Sequence, residues 1–337
     1  MNRIQKQAYE LIKDDARAIL TLVELQKNNK LDSNYICMSI QYIAIFTYEF
    51  NKWAKVLNLK IPQFTREQKE YYEKIRLKNK LLEMGYDQVS DLLKEALKKS
   101  DEYFSNKCHP LGKVFKLYNN IGVDIIKDKY CGNTVLCDIY NPFINEDYSN
   151  GVLNKHMGII CGRLVGNIIK DDFKVLEYSR EIETNSKDFN FYRNIPLKSR
   201  NIDSLVLFSI LCSINFIVEF VDKIFIEDTT TKLRWGYLQY FYLVDFIKEI
   251  NGRCKIKLEI DDKLYDKKFR NCMAHYGLGV ILNEESIIEN EKFGGITQIL
   301  FELTYVQTKE FIFGELRRVS RQIEELILRW FERSIYD

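Results

Sequence analysis

The chain has 337 residues, 46% hydrophobic and 29% charged, which is enough apolar content for a core and too much for a disordered polymer. With 4 Pro and 15 Gly, collagen-like, linker-rich and turn-dense all-β architectures are excluded. Lys+Arg number 50 against 48 Asp+Glu, a net of +2, so a broad polyanion binder is excluded as well, and any nucleic-acid groove must be local.

Hydrophobic spacing predicts helices almost throughout. Residues 4–26 place Ala8, Leu11, Ile12, Ala16, Ile19 and Leu22 at helical intervals. A polar loop, 27–33, leads to a second apolar helix over 34–57. After Pro62, the run Thr65-Arg-Glu-Gln68 reads as a capping box. Two charged amphipathic helices follow at 65–82 and 86–105, and Pro110 opens another to about residue 127. Residues 130–200 contain Gly132, Gly151, Gly158, Gly162 and Gly166 with Pro142 and Pro196, and give only a helix near 152–170. The polar stretch 181–196 ends in Pro196 and reads as a domain boundary.

Beyond it, a helix runs from an Asp203 cap to Phe225 and a second from Lys232 to Ile250, stopped by Asn251-Gly252. Residues 253–260 alternate polar and apolar, as a short strand or extended arm does. Asp261-Asp262 would cap a third helix, 263–276, and a long helix follows from Thr297 to Glu332 with a bend at Gly314. The expected fold is mainly α with minor β: a helical domain, 1–196, then a bundle of four to five helices, 197–337.

No transmembrane or signal segment is expected. The opening MNRIQKQAYELIKDD has no apolar core, and the most apolar run, 204–218, includes Asn215 and falls short of the roughly 20 residues a bilayer needs. It reads as a buried core helix or as a dimer interface. A cytoplasmic chain without a membrane partner follows. The eight Cys form no CxxC pair and are expected to be reduced thiols. Cys108, His109, Cys131 and Cys137 match no compact zinc spacing, so neither metal nor cofactor is expected.

One stretch carries chemistry: Phe269-Arg270-Asn271-Cys272-Met273-Ala274-His275-Tyr276-Gly277, preceded by Lys267 and Lys268. Asn271 and His275 are four apart and share a helical face. A multi-donor planar cation, an imidazole that moves protons near neutral pH and an orienting amide suit work on a phosphate. Lys255, Lys257 and Lys263 extend a basic surround that reads either as phosphate contacts or as a solvated face. Glu219, Asp222 and Asp245, on the two preceding helices, are candidates to hold Arg270.

Arg270, Asn271 and His275, with a four-residue spacer in an inner helix of a bundle, resemble the HEPN family of ribonucleases over residues 200–335. That family's motif is Arg, four to six residues, then His, often with a polar residue after the Arg. The resemblance implies a metal-independent endoribonuclease with Arg270, Asn271 and His275 catalytic, and the position of Lys267, Lys268 and Tyr276 beside the motif makes them the expected RNA contacts. The resemblance also implies a homodimer with a composite site, a toxin or anti-phage effector, and an inhibitory partner or trigger protein. Residues 1–196 would sense, regulate or select RNA. The alternatives are a non-catalytic module binding a nucleotide or a protein, and a helical scaffold in which the motif is fortuitous.

Overall fold

The computed structural model describes residues 1–28, 33–58, 65–140 and 174–329, apart from side chains at 33, 34, 36, 50–56, 67, 68 and 71. The helix expected at 152–170, with His156 and Cys161, lies outside them. Among the described residues the fold is mainly helical with one small sheet. In chain order come α1 (Arg3–Lys27), α2 (Ser33–Val56), α3 (Arg66–Lys78), a 3₁₀ turn (Leu81–Met84), α4 (Tyr86–Asn106) and the short α5 (Pro110–Val114). Then follow β1 (Ile121–Ile126), β2 (Lys129–Asn133), α6 (Thr134–Tyr140) and β3 (Thr184–Phe189). The C-terminal region holds α7 (Ile202–Ile224), α8 (Thr230–Cys254), α9 (Lys267–His275), α10 (Ile296–Phe301) and α11 (Tyr305–Ile327).

α7 and α8 form the middle of the core. The α7 segment is 23 residues long, and its apolar window is 94% buried against protein, so core packing and not a dimer contact takes up the run 204–218. Its Asn215 is satisfied inside the fold. The amide donates to the Tyr130 carbonyl at 3.0 Å, and its oxygen accepts from Ser320 at 2.6 Å. That residue therefore ties α7 to β2 and α11, and the helix passes through a π turn, Phe216–Val221, just after it.

The sheet is antiparallel in the order β2-β1-β3. It corrects two expectations. The helix opened by Pro110 stops at Val114, and residues 121–133 form a hairpin whose turn residues, Lys127 and Asp128, both have positive φ. The polar stretch around 184–189 is an edge strand and not a linker. Its largely exposed side chains need no apolar alternation, because the backbone ladder to β1 supplies the contact.

The expected boundary near residue 196 does not divide the chain into separate cores, because one buried cluster runs from Ala8 to Ile327. The first helix is woven into the C-terminal region. The Asp14 carboxylate accepts from the Thr230 backbone N–H and hydroxyl, both at 2.9 Å, capping α8 from another helix. Arg17 grips Glu227 through both terminal nitrogens at 2.9 and 2.7 Å.

The last helices also differ from expectation. α8 continues past Asn251-Gly252 to Cys254 and ends at Lys255 in the left-handed region. The 297–332 helix is broken at Glu302, also left-handed, while Gly314 lies inside α11 without a break.

Candidate functional site

Residues 255–266 form an extended arm that delivers α9 to its place. Side chains stand in for a neighbouring strand there. The Asn251 amide brackets Leu258, accepting from its N–H and donating to its carbonyl at 2.8 Å each. Gln322 of α11 does the same at Glu259. The Tyr237 hydroxyl reaches the Leu264 and Asp266 carbonyls at 3.0 and 2.9 Å. The helix starts at Lys267 because Asp266, and not Asp261-Asp262, is the cap, accepting from the Phe269 N–H at 2.6 Å.

Phe269, Cys272, Met273 and Ala274 form the buried face of α9. Phe269 meets Tyr237 edge-on at 4.4 Å. The remaining face carries Lys267, Lys268, Arg270, Asn271 and His275, with both lysines and Asn271 exposed. The helical spacing thus separates the core residues from the three motif side chains.

Arg270 is held on several sides. Its Nη2 donates to Glu83 Oε1 at 2.7 Å and its Nη1 to Asn271 Oδ1 at 2.9 Å. The guanidinium lies 5.3 Å from the Phe241 ring centroid and 5.7 Å from that of Tyr242, within cation–π range. Glu83 sits on the 3₁₀ turn, which closes at Gly85 with φ +82°. Glycine suits that turn because it adopts positive φ without a Cβ penalty.

None of the three acids expected from the C-terminal region holds Arg270. Glu219 pairs with Lys223, Asp222 with Arg317 at 2.5 Å, and Asp245 accepts from the Tyr265 hydroxyl at 2.5 Å. A cleft of about 160 Å³ beside Arg270 is rimmed by Glu83, Asp245 and Glu249. Three carboxylates make it an unfavourable seat for a phosphate.

At the other end of the helix, His275 Nδ1 lies 2.8 Å from Glu49 Oε1 of α2. Glu49 is 1% exposed, whereas the His275 side chain is 33% exposed. Arg76 of α3 reaches the same Glu49 oxygen at 3.3 Å and stacks 4.4 Å from the Tyr48 centroid. Burial raises the affinity of the Tyr242 hydroxyl for its proton, and Arg270, Glu83 and Arg76 all act on it electrostatically. These groups therefore surround one tyrosine.

Tyr276 is corrected from an RNA contact to a core residue. Its ring is 2% exposed, and its hydroxyl donates to Asp15 and accepts from Arg234. Cys272, within the motif, has its thiol pushed up to about 12, first by burial and then by Asp266. His109 caps α5, its Nδ1 accepting from the Leu111 N–H at 3.4 Å. Cys131 and Cys137 are buried. Among the described residues no three His, Cys, Asp or Glu side chains converge as metal ligands.

The structure thus keeps Arg270, Asn271 and His275 on one accessible helix and adds Glu49, Arg76 and Glu83 from the N-terminal region. A signal for Glu49 existed in the sequence. It is a carboxylate inside the apolar run AIFTYEF, where an ionised group needs a buried partner. Glu83 and Arg76 stand in charged segments with nothing to set them apart. No family model matches the chain, nor does any curated protein or solved structure.

Proposed function

We propose that the protein is a metal-independent endoribonuclease of the HEPN type. It would cut RNA by attack of a 2′-OH on the adjacent phosphate, leaving a 2′,3′-cyclic phosphate and a 5′-OH. The observation that carries the reading is His275, a third exposed and bonded through one ring nitrogen to a sealed carboxylate, on the helix that also presents Arg270 and Asn271. With Glu49 ionised, Nδ1 carries the proton and Nε2 is the nitrogen left to exchange one. Arg270 neutralises charge gained by the phosphorane, a contribution of several kcal/mol in a dry site. Asn271 steers Arg270, and Lys267 and Lys268 contact flanking phosphates.

Full acid–base cleavage uses two proton-transfer groups. A homodimer that faces two α9 helices across a two-fold axis would supply the second. Arg76 meanwhile brings a second guanidinium to the His275 end within one chain. The cellular setting that suits such an enzyme is a cytoplasmic toxin or anti-phage effector, restrained by an inhibitory partner or released by a trigger protein.

The second reading is a non-catalytic module that binds a nucleotide or protein. The pairing of Arg270 with Glu83 favours the protein-binding form of it, because an arginine already neutralised attracts phosphate less. Cleavage of end-labelled RNA in EDTA separates the two. The enzyme reading expects cyclic-phosphate products, no cut at a 2′-deoxy position and none with His275→Ala. Undiminished cutting by His275→Ala sinks the site, and binding without cutting by the wild type favours the module.

A further inference from the structure

We infer that Tyr276, gripped by Asp15 of α1 and Arg234 of α8, is a positioning residue that keeps the His275 imidazole on Glu49. The inference rests on the ribonuclease reading for what His275 does, and on geometry alone for where His275 is held.

α9 ends at His275, and Tyr276 follows it at φ +52° and ψ 30°, the left-handed region. Glycine enters that region at no steric cost and is the usual residue at such a helix end. A glycine stands one place later, at Gly277, yet the chain puts a tyrosine at the turn itself. Something must therefore hold Tyr276 there.

Three contacts do so. The Arg234 guanidinium lies 3.9 Å from the centroid of the Tyr276 ring. The Tyr276 hydroxyl donates to Asp15 Oδ2 and accepts from Arg234 Nη2. Asp15 is itself fixed, since it pairs with Arg234 and accepts from the Thr231 hydroxyl at 2.6 Å. Burial and the tyrosine's own surroundings keep its hydroxyl protonated, with its affinity for the proton raised well above the ordinary value, so it remains a donor to Asp15.

The link to His275 is mechanical. Phe46 and Glu49 lie three apart on α2, on one side of that helix. Phe46 meets the Tyr276 ring at 6.5 Å, and Glu49 takes the His275 nitrogen. Two neighbouring residues at the end of α9 are thus matched to two neighbouring positions on α2. A shift of Tyr276 moves the His275 backbone while Glu49 stays in place, and the 2.8 Å contact lengthens. Small misplacements of this kind are expensive for proton transfer.

The test uses the full-length protein labelled with ¹⁵N at histidine. The chain has 3 His, and the His275 signals are those lost in His275→Ala. Wild type should show a protonated Nδ1 and an unprotonated Nε2 in the neutral ring. Tyr276→Phe keeps the ring and removes the hydroxyl. It should draw the two His275 nitrogens toward the averaged values of a free imidazole. It should also lower kcat about tenfold to a hundredfold while leaving KM for RNA within about twofold, because RNA does not touch Tyr276.

Folding is checked by circular dichroism and a urea midpoint. If Tyr276→Phe does not fold, Asp15→Asn takes its place, since it keeps an acceptor for the hydroxyl and removes the charge that grips it. A folded variant with unchanged His275 nitrogens overturns the inference and leaves Tyr276 as core. Moved nitrogens in a protein that never cuts RNA uphold the positioning and reject the ribonuclease reading.

Discussion

Two carboxylates from the N-terminal helices reach the end of α9, and they meet opposite surroundings. Asp15, with its partner Arg234, is sealed, their side chains 3% and 2% exposed. Glu49 is as deeply buried, but its partners Arg76 and His275 open to solvent at 15% and 33%. A sealed ion pair gains little net stability over apolar residues of the same shape, since desolvation offsets the attraction. It does fix geometry, because neither partner has water to turn to. Two nitrogens of Arg234, Nε and Nη1, have no hydrogen-bond partner, which adds to its cost. The Glu49 cluster keeps one end in contact with water, so protons can enter and leave. One network suits positioning and the other suits chemistry.

The widest separation between them should be in stability. Arg234→Met strands Asp15 in the core and should cost about 3–5 kcal/mol, read from urea unfolding at neutral pH. Arg76→Met leaves Glu49 its contact with His275 and should cost roughly 1.5–3 kcal/mol. Equal losses would erase the distinction between sealed and open networks.

Activity should rank the other way. Glu49→Gln can turn an amide N–H toward His275 Nδ1 and select the wrong tautomer. By analogy with a triad whose carboxylate becomes an amide, cleavage should fall by about a hundredfold or more. The urea midpoint should fall less than in Arg234→Met, because an amide of the same shape keeps an acceptor for Arg76, which reaches solvent. A Glu49→Gln protein that unfolds but cuts normally per folded molecule would reverse the two roles.

The motif itself was legible because Arg270, Asn271 and His275 fall within one turn and a half of one helix, and local spacing is what a sequence displays. Their partners were not, since Glu83 and Glu49 are 187 and 226 residues away. Asp15 left a trace, standing between Leu11 and Ile19 on the apolar side of α1, where a charge implies a buried partner. The helices were readable from periodicity, and their ends less so, because Asp266 and Lys255 act through caps and backbone angles. The hairpin at 121–133 was missed because its turn is Lys127-Asp128, without the glycine or asparagine that marks such turns. The boundary expected near residue 196 rested on a related signal. A polar stretch resembles a linker until the strand it pairs with, β1, is known.

The sealed Asp15 and the exposed Asp228, which pairs with Lys292 and Lys309 just ahead of α8, should also differ in the sign of their pH dependence. At Asp15, burial outweighs Arg234, Thr231 and Tyr276 and raises the carboxyl above its ordinary 3.8. Its contribution to stability is therefore complete below 3.8 and is lost as pH rises through the native value. At Asp228, burial acts in the same direction but is outweighed by Lys309 and Lys292, and the carboxyl lies below 3.8. That contribution is present above 3.8 and is lost as pH falls through the native value. Asp228→Asn should cost roughly 1 kcal/mol at about pH 7 and converge on wild type in acid. Asp15→Asn should instead gain on wild type as pH rises from about 4. Parallel pH profiles for the two variants would contradict the contrast.

The finest probe of the sealed side is a thiol. Cys272 donates to the Gly277 carbonyl at 3.4 Å, a contact that spans His275 and Tyr276. Burial, and then Asp266, push its thiol up to about 12, so at about pH 8 only about one molecule in ten thousand carries the thiolate that reacts. Alkylation of Cys272 must therefore wait for the end of α9 to open, and its rate measures that opening. Mass spectrometry after iodoacetamide treatment should find Cys272 almost unmodified in wild type, while the partly exposed Cys108 reacts first. Loosening the Asp15–Arg234–Tyr276 grip with Tyr276→Phe should raise the Cys272 rate several-fold and leave the Cys108 rate unchanged. Glu49→Gln, which alters the open network only, should leave both rates unchanged. If Glu49→Gln and Tyr276→Phe speed Cys272 alike, the end of α9 is held by the two networks together, and positioning cannot be assigned to the sealed one.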